Sequence, residues 1–353
     1  MSFSQTDSTW SKKPTFTVSG FLDVFYVFDF NQPSGSKRLD FFYNHNRHNE
    51  FNVNLGLLKL GIEHSKYRAN LALHFGTYPN DNYVSEPGLL KLINEANIGI
   101  SLNKNNNLWL DAGVFSSHIG FESAISMDNT TLTRSICAEN SPYFLSGVKL
   151  SYSPNKKVEI VSVVTNGWQK IQRIQGNSIP SFGTQFVYKP SERITLNWNT
   201  FIGTNTPDDL RKMRYFSNIY GKFNISKRFN LIAGFDYGLE QRSKHNPAYN
   251  NWFSPALIGQ IVLSKNWYTA IRLEYFEDKN GVIIPIPSIE GFQVTGVSLN
   301  FDYSPVKAIL CRIEGRWLNA SDAIFVTKSN FDFNNYSIAA SIAVRFSETL
   351  NKK

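Results

Sequence analysis

Long apolar runs are missing from this chain. In 353 residues no stretch approaches the roughly 20 consecutive apolar residues that a membrane-spanning helix needs. Mean hydropathy is negative, at -0.27, so a helical membrane protein is excluded. Cysteine is nearly missing too. Cys137 and Cys311 stand far apart, too few for a disulfide framework, and read as a pair of inert thiols. There is no CxxC, no glycine-rich phosphate loop and no other cofactor box, so no cofactor and no metal are assigned. Charge is thin, at 18% of residues against about 25% in ordinary soluble domains, whereas aromatics reach 14%. The opening Met1-Ser2-Phe3-Ser4 lacks a basic stretch followed by an apolar one. For an exported protein this predicts a signal peptide already removed.

What the chain does have is alternation. Tyr336, Ile338, Ala340, Ile342, Val344 and Phe346 fall on one face of a strand, and Ser337, Ala339, Ser341, Ala343 and Arg345 on the other. One face is greasy and the other small or polar, the pattern of a wall between lipid and an aqueous lumen. The strands near 228–242 and 266–279 repeat it cleanly, whereas Val161 and Val163 put apolar residues on both faces and Leu57-Leu58 breaks phase, as a bulge would.

Tight turns recur near 64–66, 104–107, 153–156, 189–192, 226–228, 264–266 and 304–307. Most lie about 36 to 40 residues apart, which is two tilted spanning strands of ~10 residues plus a turn and a loop. Each has an aromatic neighbour (Tyr67, Trp109, Tyr152, Tyr188, Phe229, Trp267 or Tyr303), as a girdle at one membrane interface requires. Phe28, Trp168, Tyr237, Tyr275 and Trp317 are assigned to the opposite girdle. Seven turns give fourteen strands, and one more at each terminus makes sixteen. The predicted fold is all-β, a transmembrane antiparallel up-and-down β-barrel with short periplasmic turns and longer extracellular loops. It occupies residues 15–346, after an N-terminal periplasmic segment (1–14) and before a C-terminal tail (347–353).

The longest interval between turns contains the segment 118–142. Its runs SHIGFESA (117–124), TLTRS (131–135) and AENSPYF (138–144) resemble the signature of the OmpL-like β-barrel porin family of Bacteroidota, and GFLDVFYVFDF (20–30) is similar to that family's first strand. The chain has Thr130-Thr131 where the family often has an aromatic before its Thr-x-x-Arg segment. The resemblance implies a large outer-membrane barrel more firmly than any particular solute. In general porins a long loop after the fifth strand folds inward, and this loop has the same ordinal place. It supplies His118, Glu122, Asp128, Arg134 and Glu139 as constriction residues, with Arg134 and Glu139 expected to find partners on the wall. An exposed loop of mixed charge is the alternative.

The net charge of +8 raises the question of nucleic acid, so the charges must be located. Strand phase turns Arg68, Lys149, Arg214, Lys222, Arg272, Arg312, Arg316 and Arg345 inward, against Asp23, Glu95, Asp111, Asp236, Glu240, Glu274, Asp302 and Glu314. The lumen is nearly balanced. The excess then belongs to turns and loops, where it can meet lipopolysaccharide phosphates, and nucleic-acid binding is not assigned. Arg312, Glu314, Arg316 and Arg345 read as a cross-strand ladder opposite Asp23. Ser116-Ser117-His118 as a catalytic pair, and His45, His48 and Glu50 as metal ligands, are both weaker readings than plain loop.

These observations predict an outer-membrane porin for passive diffusion of small hydrophilic solutes or ions, with no chemistry and no catalytic residues. Its expected partners are outer-membrane lipids and lipopolysaccharide, the solutes themselves, and a homotrimer or a lipoprotein. The rival is a docking barrel, closed by its loops, that holds a lipoprotein or secretion partner.

Overall fold

The computed structural model describes residue 10 and residues 12–350. The strands are β1 (Thr15–Asp29), β2 (Phe51–Glu63), β3 (Tyr67–Phe75), β4 (Ile93–Ser101), β5 (Leu108–Ser116), β6 (Phe144–Asn155), β7 (Val158–Thr165), β8 (Ser181–Ser191) and β9 (Ile194–Gly203). They continue as β10 (Arg214–Asn224), β11 (Phe229–Gln241), β12 (Tyr249–Val262), β13 (Trp267–Asp278), β14 (Phe292–Val306) and β15 (Ile309–Ala320). A small ladder, β16 (Phe325–Val326) with β17 (Phe331–Asp332), precedes β18 (Asn334–Leu350). All but β16 and β17 form one closed antiparallel barrel of sixteen strands. Closure is made by β18 on β1, in register from Phe16 opposite Leu350 to Asp29 opposite Ser337, so the barrel has no open edge. β18 continues past Phe346, and residues 347–350, expected in a tail, belong to the wall. The segment 1–14 lies mostly outside the described residues.

The wall forms because alternation gives every strand one apolar face. On β18 Tyr336, Ile338, Ile342, Val344 and Phe346 are exposed on the outside, while Asn335, Ser337, Ala339, Ser341 and Ala343 are buried inside. Seven short turns mark one end of the barrel and eight longer loops the other. Three of the turns begin later than the pattern suggested, and for one reason. Tyr152-Ser153-Pro154, Tyr188-Lys189-Pro190 and Tyr303-Ser304-Pro305 each bring a residue without an N–H into the strand, and pairing breaks there before resuming at Asn155, Ser191 and Val306.

Two phase breaks have local causes. The bulge in β2 sits at Asn54, where the register with β1 shifts between Asp23 and Val24, rather than at Leu57-Leu58. It turns Asn54 into the interior, where its side-chain oxygen accepts from the His45 backbone N–H at 2.9 Å. On β5, Gly113 has φ +126°, a conformation closed to L side chains, and the next two residues, Val114 and Phe115, are both buried. Phe115, Leu145, Val161 and Val163 form one apolar cluster, which accounts for the two valines.

The interior is largely filled. Loop 1 (30–50) and loop 3 (117–143) enter it, and Leu39, Phe41 and Phe42 from the first and Ile119, Phe121, Ile136 and Cys137 from the second join wall residues such as Phe216, Trp252 and Phe276 in one apolar core. Trp168 belongs to this core, packed edge-on against Phe201 and Phe216, and not to a lipid-facing girdle. The apolar side chains of loop 3 leave water by packing on this core inside the barrel.

Candidate functional site: the barrel lumen

Strand phase places long charged side chains over short ones. Arg272 and Glu274 share a face of β13, and Arg312, Glu314 and Arg316 share a face of β15, with β14 between them. The residues of β14 that intervene are Ser298, opposite both Arg272 and Arg316, and Gly296, opposite Glu274. A Cβ on Gly296 would lie 2.7 Å from the Glu274 side chain, so only glycine lets that carboxylate lie across the strand. The result is a bridge over β14. Arg272 pairs with Glu274 at 3.1 Å and Glu314 at 3.0 Å, Arg316 with Glu274 at 2.6 Å, and Arg312 with Asp302 at 2.8 Å. The ladder is therefore built on β13, β14 and β15. Arg345 lies apart from it and pairs with Asp128 of loop 3 at 2.8 Å, and Asp23 also faces other partners.

Those partners are the inserted loops. Polar groups of the wall satisfy the backbone of TLTRS and of the residue after it: Glu314 accepts from the Thr133 N–H at 2.7 Å, Glu274 from the Ile136 N–H at 2.7 Å, and Asn300 from the Leu132 N–H at 3.0 Å. Arg312 donates to the carbonyls of Ser126, Asn129, Thr130 and Thr131, and Arg272 to the Thr131 hydroxyl at 2.7 Å. An irregular segment buried in a barrel must place its peptide groups somewhere, and here the side chains of the wall replace a sheet ladder. Asp23 accepts from His45 of loop 1 at 2.8 Å and from Ser126 of loop 3 at 2.7 Å, tying both loops to β1.

Within loop 3, Arg134 and Glu139 pair with each other at 2.9 Å instead of with the wall. The cause is a short helix, α1 (Ile136–Glu139), capped by Ser135, which folds the two side chains together; the Arg134 guanidinium also lies 3.4 Å from the centre of the Tyr143 ring. Glu139 accepts from the Tyr43 N–H at 2.9 Å, which joins loop 3 to loop 1. Glu122 accepts from the Ser135 N–H and hydroxyl, and burial pushes its carboxyl above the ordinary carboxylate range against the pull of Arg272. His118 reaches the Thr200 carbonyl through Nε2 at 2.9 Å, and burial lowers its pKa. Asp236 accepts from Asn218 at 2.5 Å.

The side of the lumen formed by β3 to β7 is different. Arg68 makes a bidentate pair with Asp111, at 2.7 and 2.6 Å, and lies 4.4 Å from the Trp109 ring centre. Trp109 shares the inward face with Asp111, so it lines the lumen and is no part of the girdle; its parity with Asp111 was the available signal. Lys149 extends over the Phe115 ring, and among the described residues neither it nor Glu159 makes an ion pair. These residues line a polar cavity of ≈ 490 Å³ at the short-turn end. A second cavity of ≈ 250 Å³ lies beside loop 3, lined by Tyr78, Tyr83, Glu122 and Tyr143, and Glu95 and Ser116 border both.

A family model described as "Putative beta-barrel porin-2, OmpL-like" matches residues 15–346. The chain belongs to this porin family. No curated protein matches it. Three solved structures share the fold of this porin: the anion-selective porin of Comamonas acidovorans (TM-score 0.64, 8% identity, 95% of this chain and 100% of that one), the outer membrane channel DcaP of Acinetobacter baumannii (0.62, 11%, 95% and 98%), and the trimer form of the outer membrane protein OmpT of Vibrio cholerae (0.62, 10%, 95% and 100%). Family and fold indicate a channel of the outer membrane rather than an enzyme.

The weaker candidates of the porin's sequence do not assemble. His118 is bonded to Thr200, not to Ser116 or Ser117. His45 faces Asp23, His48 accepts from the Asp29 N–H, and Glu50 bonds Asn52, so the three diverge. Among the described residues no group of His, Cys, Asp and Glu converges as metal ligands. Cys137 and Cys311 are both free, the first buried in loop 3 and the second on β15. The loop anchors Thr131, Thr133, Ser126 and Asn300 escaped sequence reading, because hydroxyl and amide groups on a polar face carry no signal of what they hold.

Proposed function

We propose that the porin conducts small hydrophilic solutes along an off-axis route, through the β3–β7 side of the lumen, with its short turns toward the periplasm. The observation that carries this reading is the sharing of Glu95 and Ser116 between the two cavities, on the side of the wall where Arg68, Asp111 and Lys149 face open space. The larger cavity falls within the ~300–1,000 Å³ of small-molecule sites. Its charged lining is Arg68 and Lys149 against Glu95, Asp111 and Glu159, with Lys59 held by Glu95 at 2.7 Å, a balance that supports weak ion preference. Loop 3 acts as the constriction, with Glu122 at its edge. A trimer is supported by the trimer form of a protein with the same fold.

The filling of the lumen by loops 1 and 3 favours one other reading, a closed barrel that docks a lipoprotein. Planar-bilayer conductance separates the two. Single channels that grow severalfold when residues 121–135 are replaced by a short linker, in a barrel that still shows heat-modifiable migration, are expected; a silent bilayer from folded wild type would sink the channel reading.

A further inference from the structure

The surplus of positive charge has a single address. The seven short turns hold nine Lys or Arg residues against one acid, Glu192, a balance of +8, whereas the eight long loops hold thirteen against twelve, a balance of +1. Every short turn carries at least one basic residue, and two carry adjacent pairs, Lys156-Lys157 and Lys227-Arg228. The excess that composition assigned to turns and loops together thus lies at the end opposite the long loops.

Geometry fixes its height. These turns span two to six residues and begin within a few residues of Tyr152, Tyr188, Trp267 and Tyr303, the aromatics that encircle this end. At ~3.3 Å per residue the basic groups cannot project far beyond the girdle, so they stand at the level of lipid headgroups and not out in solution. Lys104, Lys156, Lys157, Lys227, Arg228 and Lys265 are exposed and form no salt bridge among the described residues; Lys66 alone is buried, its ammonium capped by the Asn103 carbonyl at 3.1 Å. Free cations spaced around a circle at headgroup depth match one kind of occupant, the phosphodiester headgroups of a lipid leaflet.

We infer that the short-turn rim is a ring that selects anionic phospholipid in the leaflet it meets. Its placement in the periplasmic leaflet rests on the orientation proposed above. Charge balance gives the long-loop end no comparable claim on lipopolysaccharide phosphates.

The test uses the folded barrel in vesicles of phosphatidylcholine, alone or with an equal part of phosphatidylglycerol, and measures by electron spin resonance how strongly spin-labelled phosphatidylglycerol is held at the protein relative to spin-labelled phosphatidylcholine. Wild type is expected to prefer the anionic lipid severalfold, and to lose the preference in 1 M salt, where the Debye length falls to ~3 Å. The six-residue variant K104Q/K156Q/K157Q/K227Q/R228Q/K265Q should show none, and the loop variant K170Q/R173Q/R242Q/K244Q should behave as wild type. No preference in wild type, a salt-independent one, or its loss in the loop variant with survival in the turn variant each overturns the inference. The salt titration needs no variant, so a failure of the six-residue protein to fold leaves the test intact. Conductance is read separately: a closed pore leaves the ring standing, and absent lipid selection leaves the pore standing.

Discussion

The two sides of the lumen are made of the same residues and do different things. On β13 to β15 arginines and carboxylates are sealed beneath loop 3, and Arg272 and Glu314 retain 0% and 1% of their surface. On β3 to β7 the equivalent pair, Arg68 and Asp111, borders open space, with 34% of the Arg68 side chain exposed. Strand grammar put both sets inward. Coverage alone separates a structural clamp from a solvated wall, because a charge without water must be paired and hydrogen-bonded while one with water need not be.

Removing one partner should therefore have unequal cost. Arg272→Ala leaves Glu314 and Glu274 with less compensation in a dry site and strips the Thr131 hydroxyl of its donor, so a loss of about 3–5 kcal/mol is expected. Arg68→Ala at the wetter pair should cost about 1 kcal/mol or less. Urea titration of the refolded barrels measures both, and equal losses would break the comparison.

Small polar positions sharpen it at a lower magnitude. Ser341 is 5% exposed, opposite Phe25 and Arg312 in the covered wall, and near it Leu132 of loop 3 packs with Phe25. Ser341→Asn should overpack this region at about 1–3 kcal/mol. Ser151→Asn, on the wall of the open cavity, should be nearly silent in the same titration.

The smallest effect concerns Glu122, at the border of the two regions. Its folded pKa lies above the unfolded value of about 4.3, so its protonated form favours the folded state: that contribution is complete below pH ~4.3 and disappears as pH rises through the folded pKa. Glu122→Gln keeps the neutral form at every pH. The variant should lose less urea stability than wild type between pH 4 and 7, and parallel curves would show that Glu122 is already compensated by Arg272.

Much of the barrel was legible because a membrane wall is a local code. Lipid on one face demands apolar residues at every second position, and seven turns with an eighth junction at the termini count the strands; sixteen follows without any knowledge of contacts. The same code tells which way Arg272 or Arg68 points. It is silent on what stands in front of them. Whether loop 3 lies in the lumen, that Arg134 turns to Glu139, that Trp168 faces inward, and that Gly296 makes room for Glu274 depend on residues up to 186 positions apart, as Ser126 and Arg312 are. Alternation is fixed by the geometry of one strand, while burial of a charge is fixed by whichever distant segment excludes its water, and only the closed tertiary structure decides that.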